Sequence, residues 1–187
     1  METNYNFRFS IKFTCKPENR EKFRIYLNAL KPAESEIKEY QQKKMRFVQA
    51  KLKARNTFDS IMVQFRNSRV QQKLDYIISE SILPDSFIKQ TKKESIAFNG
   101  NDLKLLEYMG FVKQTESNYK GEMMILQDKV YYKTISPLMS PGIECISFSL
   151  ECQENETEET IKQIQYIEAY FKNILDPVPQ TLSNSIK

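Results

Sequence analysis

Residues 119–135 read YKGEMMILQDKVYYKTI. Two apolar stretches, 119–126 and 130–135, flank the polar Gln127-Asp128-Lys129. That is the pattern of two strands joined by a turn. Inside the stretches apolar residues stand side by side: Met123-Met124, Ile125-Leu126 and Tyr131-Tyr132. Neighbouring residues of a strand point to opposite faces. One member of each pair must therefore leave the main core side. The second face needs cover, either from this chain's own helices or from another protein. On that ground Met123, Met124, Tyr131 and Tyr132 are candidate partner-interface residues.

The rest of the chain supplies more strands and few helices. Tyr5, Phe7, Phe9, Ile11 and Phe13 alternate with Asn6, Arg8, Ser10 and Lys12, a half-buried strand with its polar side outward. Pro17 opens a helix and Pro32 ends it, with Phe23, Tyr26, Leu27 and Leu30 as the apolar stripe. Residues 33–45 are polar and are expected to form a short helix or loop. A hairpin follows: Val48 to Ala54 alternate with Gln49 to Arg55, and Ile61, Val63 and Phe65 mark the returning strand. Further strands are expected over 74–79 and 94–98, with a turn at Pro84-Asp85. Asn101 caps a short helix through Leu103, Leu106 and Met109, and Gly110 ends it in a left-handed conformation. After the 119–135 pair, Ile146, Phe148, Leu150 and Cys152 alternate with polar residues. Asn155 and Glu158 form an expected capping box for a last helix, which carries Ile161, Ile164, Ile167, Phe171 and Ile174. Strands do not alternate regularly with helices, which argues against a doubly wound parallel sheet. The expected class is α+β, a mostly antiparallel β-barrel or strongly curved sheet with two longer helices packed on it. One domain is expected over residues 1–176, with a loose tail over 177–187.

Composition removes many chemistries. The 187 residues are 40% hydrophobic, enough for a core, and the net charge of +4 is too mild for a nucleic-acid coat. There is no His, hence no His triad, His base or His metal ligand. The four Gly are scattered and cannot build a phosphate loop. Three Cys, at 15, 145 and 152, fit a reducing compartment and read as buried small hydrophobes. METNYNFRFS lacks the features of a secretory signal, and no apolar run approaches a membrane span. Cytosol or nucleus is the expectation.

Charge is uneven. Residues 16–73 carry 15 basic and 6 acidic side chains, whereas residues 101–187 carry 8 and 13. Lys51, Lys53 and Arg55 line one strand face and form a candidate basic surface, either merely solvated, or for an acidic protein or nucleic-acid phosphates. Only Phe47 is in register as a stacking aromatic, which weakens the nucleic-acid reading. Glu34-Ser35-Glu36-Ile37-Lys38 matches the ExExK pattern of tunnel-type triphosphatases, where alternating charges on a strand point into a barrel and hold a metal and phosphates. Here it follows Pro32 and resembles an acidic first helical turn.

Residues 101–137 carry a more specific resemblance. NDLKLLEYMGFVKQTESNYKGEMMILQDKVYYKTISP combines a helix closing on Met109-Gly110-Phe111, a Lys120-Gly121 step and a strand with Tyr132-Lys133. This resembles subunit 18 of the Mediator head module, of the RNA polymerase II co-activator. The end is similar too, with a strand over Cys145 to Cys152 and a final helix closing on Leu175-Asp176-Pro177. The resemblance implies a non-enzymatic antiparallel barrel distantly similar to the tunnel triphosphatases, in the nucleus. It also implies pairing with Mediator subunit 20, capture of the C-terminal helix of subunit 8, and indirect contact with the polymerase machinery. It implies no catalytic residue, metal or cofactor. The alternatives are a divergent metal-dependent tunnel-type triphosphatase and a nucleic-acid-binding barrel protein.

Overall fold

The structure is a computed structural model, and it describes residues 6–31, 37–49, 60–66, 72–98, 103–108, 110–126, 130–135, 144–180 and 182. Nine strands and three α-helices occur among them: β1 (Asn6–Cys15), α1 (Arg20–Leu30), β2 (Lys38–Gln49), β3 (Ser60–Arg66), β4 (Gln72–Ile82), β5 (Lys89–Phe98), α2 (Leu103–Tyr108), β6 (Phe111–Leu126), β7 (Val130–Ile135), β8 (Glu144–Gln153), α3 (Thr157–Phe171) and β9 (Asp176–Pro177). Every strand pairing is antiparallel. The order is β5-β4-β3-β2-β6-β7-β8-β1-β9, and β1 meets β5 again over Asn6–Ser10. The α+β class with a strongly curved antiparallel sheet and two longer helices is therefore correct. The two ends of the sheet meet along part of β1.

A sheet of eight strands curved this far leaves an interior wide enough for its own side chains or one small ligand, and too narrow for a helix. The helices must lie outside it. The outer face of β1 carries Phe7, Phe9, Ile11 and Phe13, and that of β8 carries Ile146, Phe148, Leu150 and Cys152, all buried. α1 adds Phe23 and Leu27, and α3 adds Ile164, Ile167 and Phe171. Phe171 stacks on Phe148 at 4.8 Å between ring centroids, and Phe23 packs against Tyr132 at 5.7 Å. Pro17 opens a 3-10 turn over Pro17–Asn19 that runs into α1. Gly110 has φ 85°, the left-handed end expected after α2.

Three local expectations need correction. Residues 38–49 are a strand, not a helix or loop. Among the described side chains of β2, Met45 and Phe47 are buried, as is Leu106 of α2. A strand with so few apolar positions gives no period-2 signal. Phe111–Leu126 is one strand of 16 residues, which extends the expected 119–126 strand back to the end of α2. Asn155 lies inside a 3-10 turn (Glu154–Glu156), and the residue before α3 is Glu156, which makes no side-chain cap bond. The 50–59 segment of the expected hairpin and the Asn101 cap lie outside the described residues.

Candidate functional site

The inner face of the sheet is polar on β1, β5 and β8. Along β1 it holds Asn6, Arg8, Ser10 and Lys12, each half-buried. The sequence alone reads this row as a solvent face. The closure of the sheet turns it inward, because Arg8 lies opposite Glu151 on β8 and opposite Thr91 on β5. Arg8 donates to Glu151 Oε1 through Nε at 3.0 Å and through a terminal nitrogen at 2.7 Å. Lys93 Nζ donates to the same oxygen at 2.6 Å, and its side chain is only 1% exposed. Burial alone would raise the Glu151 carboxyl. Arg8 and Lys93 overcome that and hold it well below the usual carboxylate range. One register step along, Lys89 and Glu80 pair at 2.8 Å, again with little exposure. Lys12 lies opposite Ser147.

No sequence signal marks these groups. Arg8, Lys93 and Glu151 are 143 and 58 residues apart in pairs, and only pairing of β1 with β5 and β8 brings them together. A usable hint exists: both β1 and β8 alternate strictly, so both must lend one face to something other than the apolar core.

The predicted site residues fall elsewhere. Met124 and Tyr132 are each 2% exposed, in the core beneath the helices. They present no surface to a partner. Burial pushes the Tyr132 hydroxyl far above its usual range. Met123 takes the opposite strand face and is half-buried, opposite Lys133 of β7. Met123 and Met124 thus straddle one sheet, with the core on one side and the sheet interior on the other. The side chain of Tyr131 lies outside the described residues, as do Lys51, Lys53, Arg55, Glu34 and Glu36. Cys15 and Cys152 are buried and Cys145 is half-buried, all as free thiols. Burial raises the Cys15 and Cys145 thiols, so neither is an activated nucleophile.

Among the described residues no three Asp, Glu, Cys or His cluster as ligands. The inner carboxylates Glu80 and Glu151 are engaged by Lys89 and by Arg8 with Lys93. The inner face offers cationic and hydroxyl donors, the chemistry of anion binding. Apart from it, a cleft of about 110 Å³ lies between α1 and the β6–β7 pair, lined by Arg24, Leu27, Asn28, Ile37, Glu122 and Tyr132.

No family model matches the chain, and no curated protein matches its sequence. The fold does match solved structures. A chain of the Schizosaccharomyces pombe Mediator head module aligns with TM-score 0.66 and 9% identity over 91% of this chain and 97% of that one. An adenylyl cyclase candidate from Hippeastrum with a dominant triphosphatase activity aligns with TM-score 0.60 and 11% identity over 95% and 92%. A second adenylate cyclase candidate, from Vibrio parahaemolyticus, aligns with TM-score 0.60 and 11% identity over 92% and 94%. At these identities the likeness establishes the fold, which is shared by a Mediator head chain and by proteins of triphosphatase and cyclase type. One expectation is overturned by it. Missing His and Gly-rich loops had pointed to a chain with no enzymatic activity. The same fold occurs in the Hippeastrum protein with a dominant triphosphatase activity, so that exclusion does not stand.

Proposed function

We propose that this chain holds a phosphate-rich anion on the inner face of its sheet and acts on triphosphate substrates. The observation that carries the reading is the inward row of Arg8, Lys12, Lys89 and Lys93. The fold it shares with a Hippeastrum protein of dominant triphosphatase activity supports it. Arg8 offers a planar fork of donors suited to phosphate oxygens, and Lys12 a mobile point charge. Glu151 holds Arg8 and Lys93 in fixed positions, so little reorganisation is needed when an anion arrives. The test is phosphate release from nucleoside triphosphates and from inorganic tripolyphosphate, with Mg²⁺ or Mn²⁺ and in their absence. Lys12→Ala should lower the rate about tenfold, the scale of one lost charge-assisted hydrogen bond. Folded protein that releases no phosphate above the blank sinks the reading.

A second reading is a subunit of a nuclear transcription assembly of the Mediator head type. It rests on the motifs at residues 101–137 and on the TM-score of 0.66 with nearly full cover of both chains. Its partners would be the counterparts of Mediator subunit 20 and of the C-terminal helix of subunit 8. Affinity purification from nuclear extract with mass spectrometry tests it. Recovery of no transcription subunits removes it.

A further inference from the structure

The edge of β1 that faces away from β8 has two occupants. β5 covers Asn6–Ser10 and begins at Lys89, opposite Ser10, so it reaches no further along β1. Beyond that point the chain's own C-terminal segment takes over. Phe13 and Thr14 pair with Pro177 and Asp176. Val178 donates its backbone N–H to the Lys12 carbonyl at 2.8 Å. Gln180 Nε2 donates to the Ser10 carbonyl at 2.7 Å and to the Phe87 carbonyl at 3.0 Å. The Gln180 amide thus stands in for main-chain donors where β1 and the β4–β5 turn part. The same turn is tied to α3, because Glu168 accepts from Ser86 Oγ and from the Phe87 N–H, both at 2.8 Å.

The segment is held by hydrogen bonds to a strand edge more than by burial. Pro177, Val178 and Gln180 are half-buried, and Asp176 and Pro179 are exposed. Pro177 and Pro179 have no N–H, so the segment ends the sheet and offers little to a further strand. A bare edge of β1 would be a template for strand addition.

We infer that the β1 edge over Lys12–Cys15 is a binding site for an extended peptide segment, and that residues 176–180 of this chain are its resident, exchangeable occupant. Displacing them opens the seam where the two ends of the sheet meet. The experiment uses the full chain and two substitutions outside the core. Val178→Pro removes the Val178 main-chain donor, and Gln180→Ala removes both amide bonds. Amide hydrogen exchange is read over residues 11–15, and a fluorescent peptide of residues 175–182 is titrated against each chain. The double variant, which loses three hydrogen bonds, should exchange about tenfold or more faster there. It should also bind the peptide about fivefold or more tighter than the unaltered chain, because the competing occupant is weakened. Gln180→Ala alone should move both readouts the same way by less. Unchanged exchange, or equal peptide binding by both chains, overturns the inference. So does an unaltered chain that already swaps the segment between two copies, read as a dimer on sedimentation.

Discussion

At Gly121 the two strands of the 119–135 pair come so close that no side chain fits. A Cβ there would lie 2.3 Å from the Thr134 carbonyl oxygen. Thr134 is nearly buried, and its hydroxyl accepts the Glu122 N–H at 2.7 Å. Gly121→Ala must push backbone from backbone, and should cost about 2 kcal/mol or more. Urea unfolding checks it, and a midpoint unchanged from the parent contradicts the close approach. The Lys120-Gly121 step was therefore legible as a motif, but its reason lies in a contact 13 residues away. Glu151 gives a second prediction. Its carboxyl is held below the usual range in the folded chain, so the unfolded chain binds the proton more readily. The stability this provides is complete above the ordinary carboxylate value of about 4.3 and is lost as pH falls below it. Thermal melts of the parent should drop over that range. Glu151→Gln should be less stable at pH 7 and show a shallower acid limb. Equal acid limbs would remove Glu151 as the cause.

Among the elements, the most readable were those that pair a strict period with burial. β1 and β8 alternate over their whole length, and their apolar faces are the ones the helices cover. α3 follows its Ile and Phe stripe, with Ile164, Ile167 and Phe171 all fully buried. Phe171→Ala should cost about 3–5 kcal/mol, because its ring meets Phe13, Phe23 and Phe148 at once. Loss of near-UV ellipticity with a lowered melting temperature is the expected readout. A shift under about 1 kcal/mol would mean that the helix is not seated there. β2 was the least readable element. Its residues 38–44 are Lys, Glu, Tyr, Gln, Gln, Lys and Lys, and they pair with β6 along most of their length. Neighbours supply the hydrogen bonds that hold such a strand, so its own residues need no hydrophobic pattern.

Across the whole molecule, the outer core and the charged inner row share β1 and β8. Every residue of those strands that adds to one face is one position from a residue that adds to the other. The chain should therefore unfold as a unit, with far-UV and near-UV transitions coinciding in urea. Two separated transitions would show that the helices and the sheet stand apart. Composition and periodicity determined the class: antiparallel strands rich enough in apolar residues to need helices on one side, with no His chemistry. They also exposed the two-sidedness of the strands, since a period of two assigns faces whatever the partner strand. Which face was inside, however, depended on the meeting of β1 with β5, some eighty residues apart in the chain. Alternation is a local property of the backbone, whereas closure of a sheet is a property of pairings between distant segments. Only the second could turn Arg8, Lys93 and Glu151 from a solvent face into an inward-facing, half-buried cluster of charge.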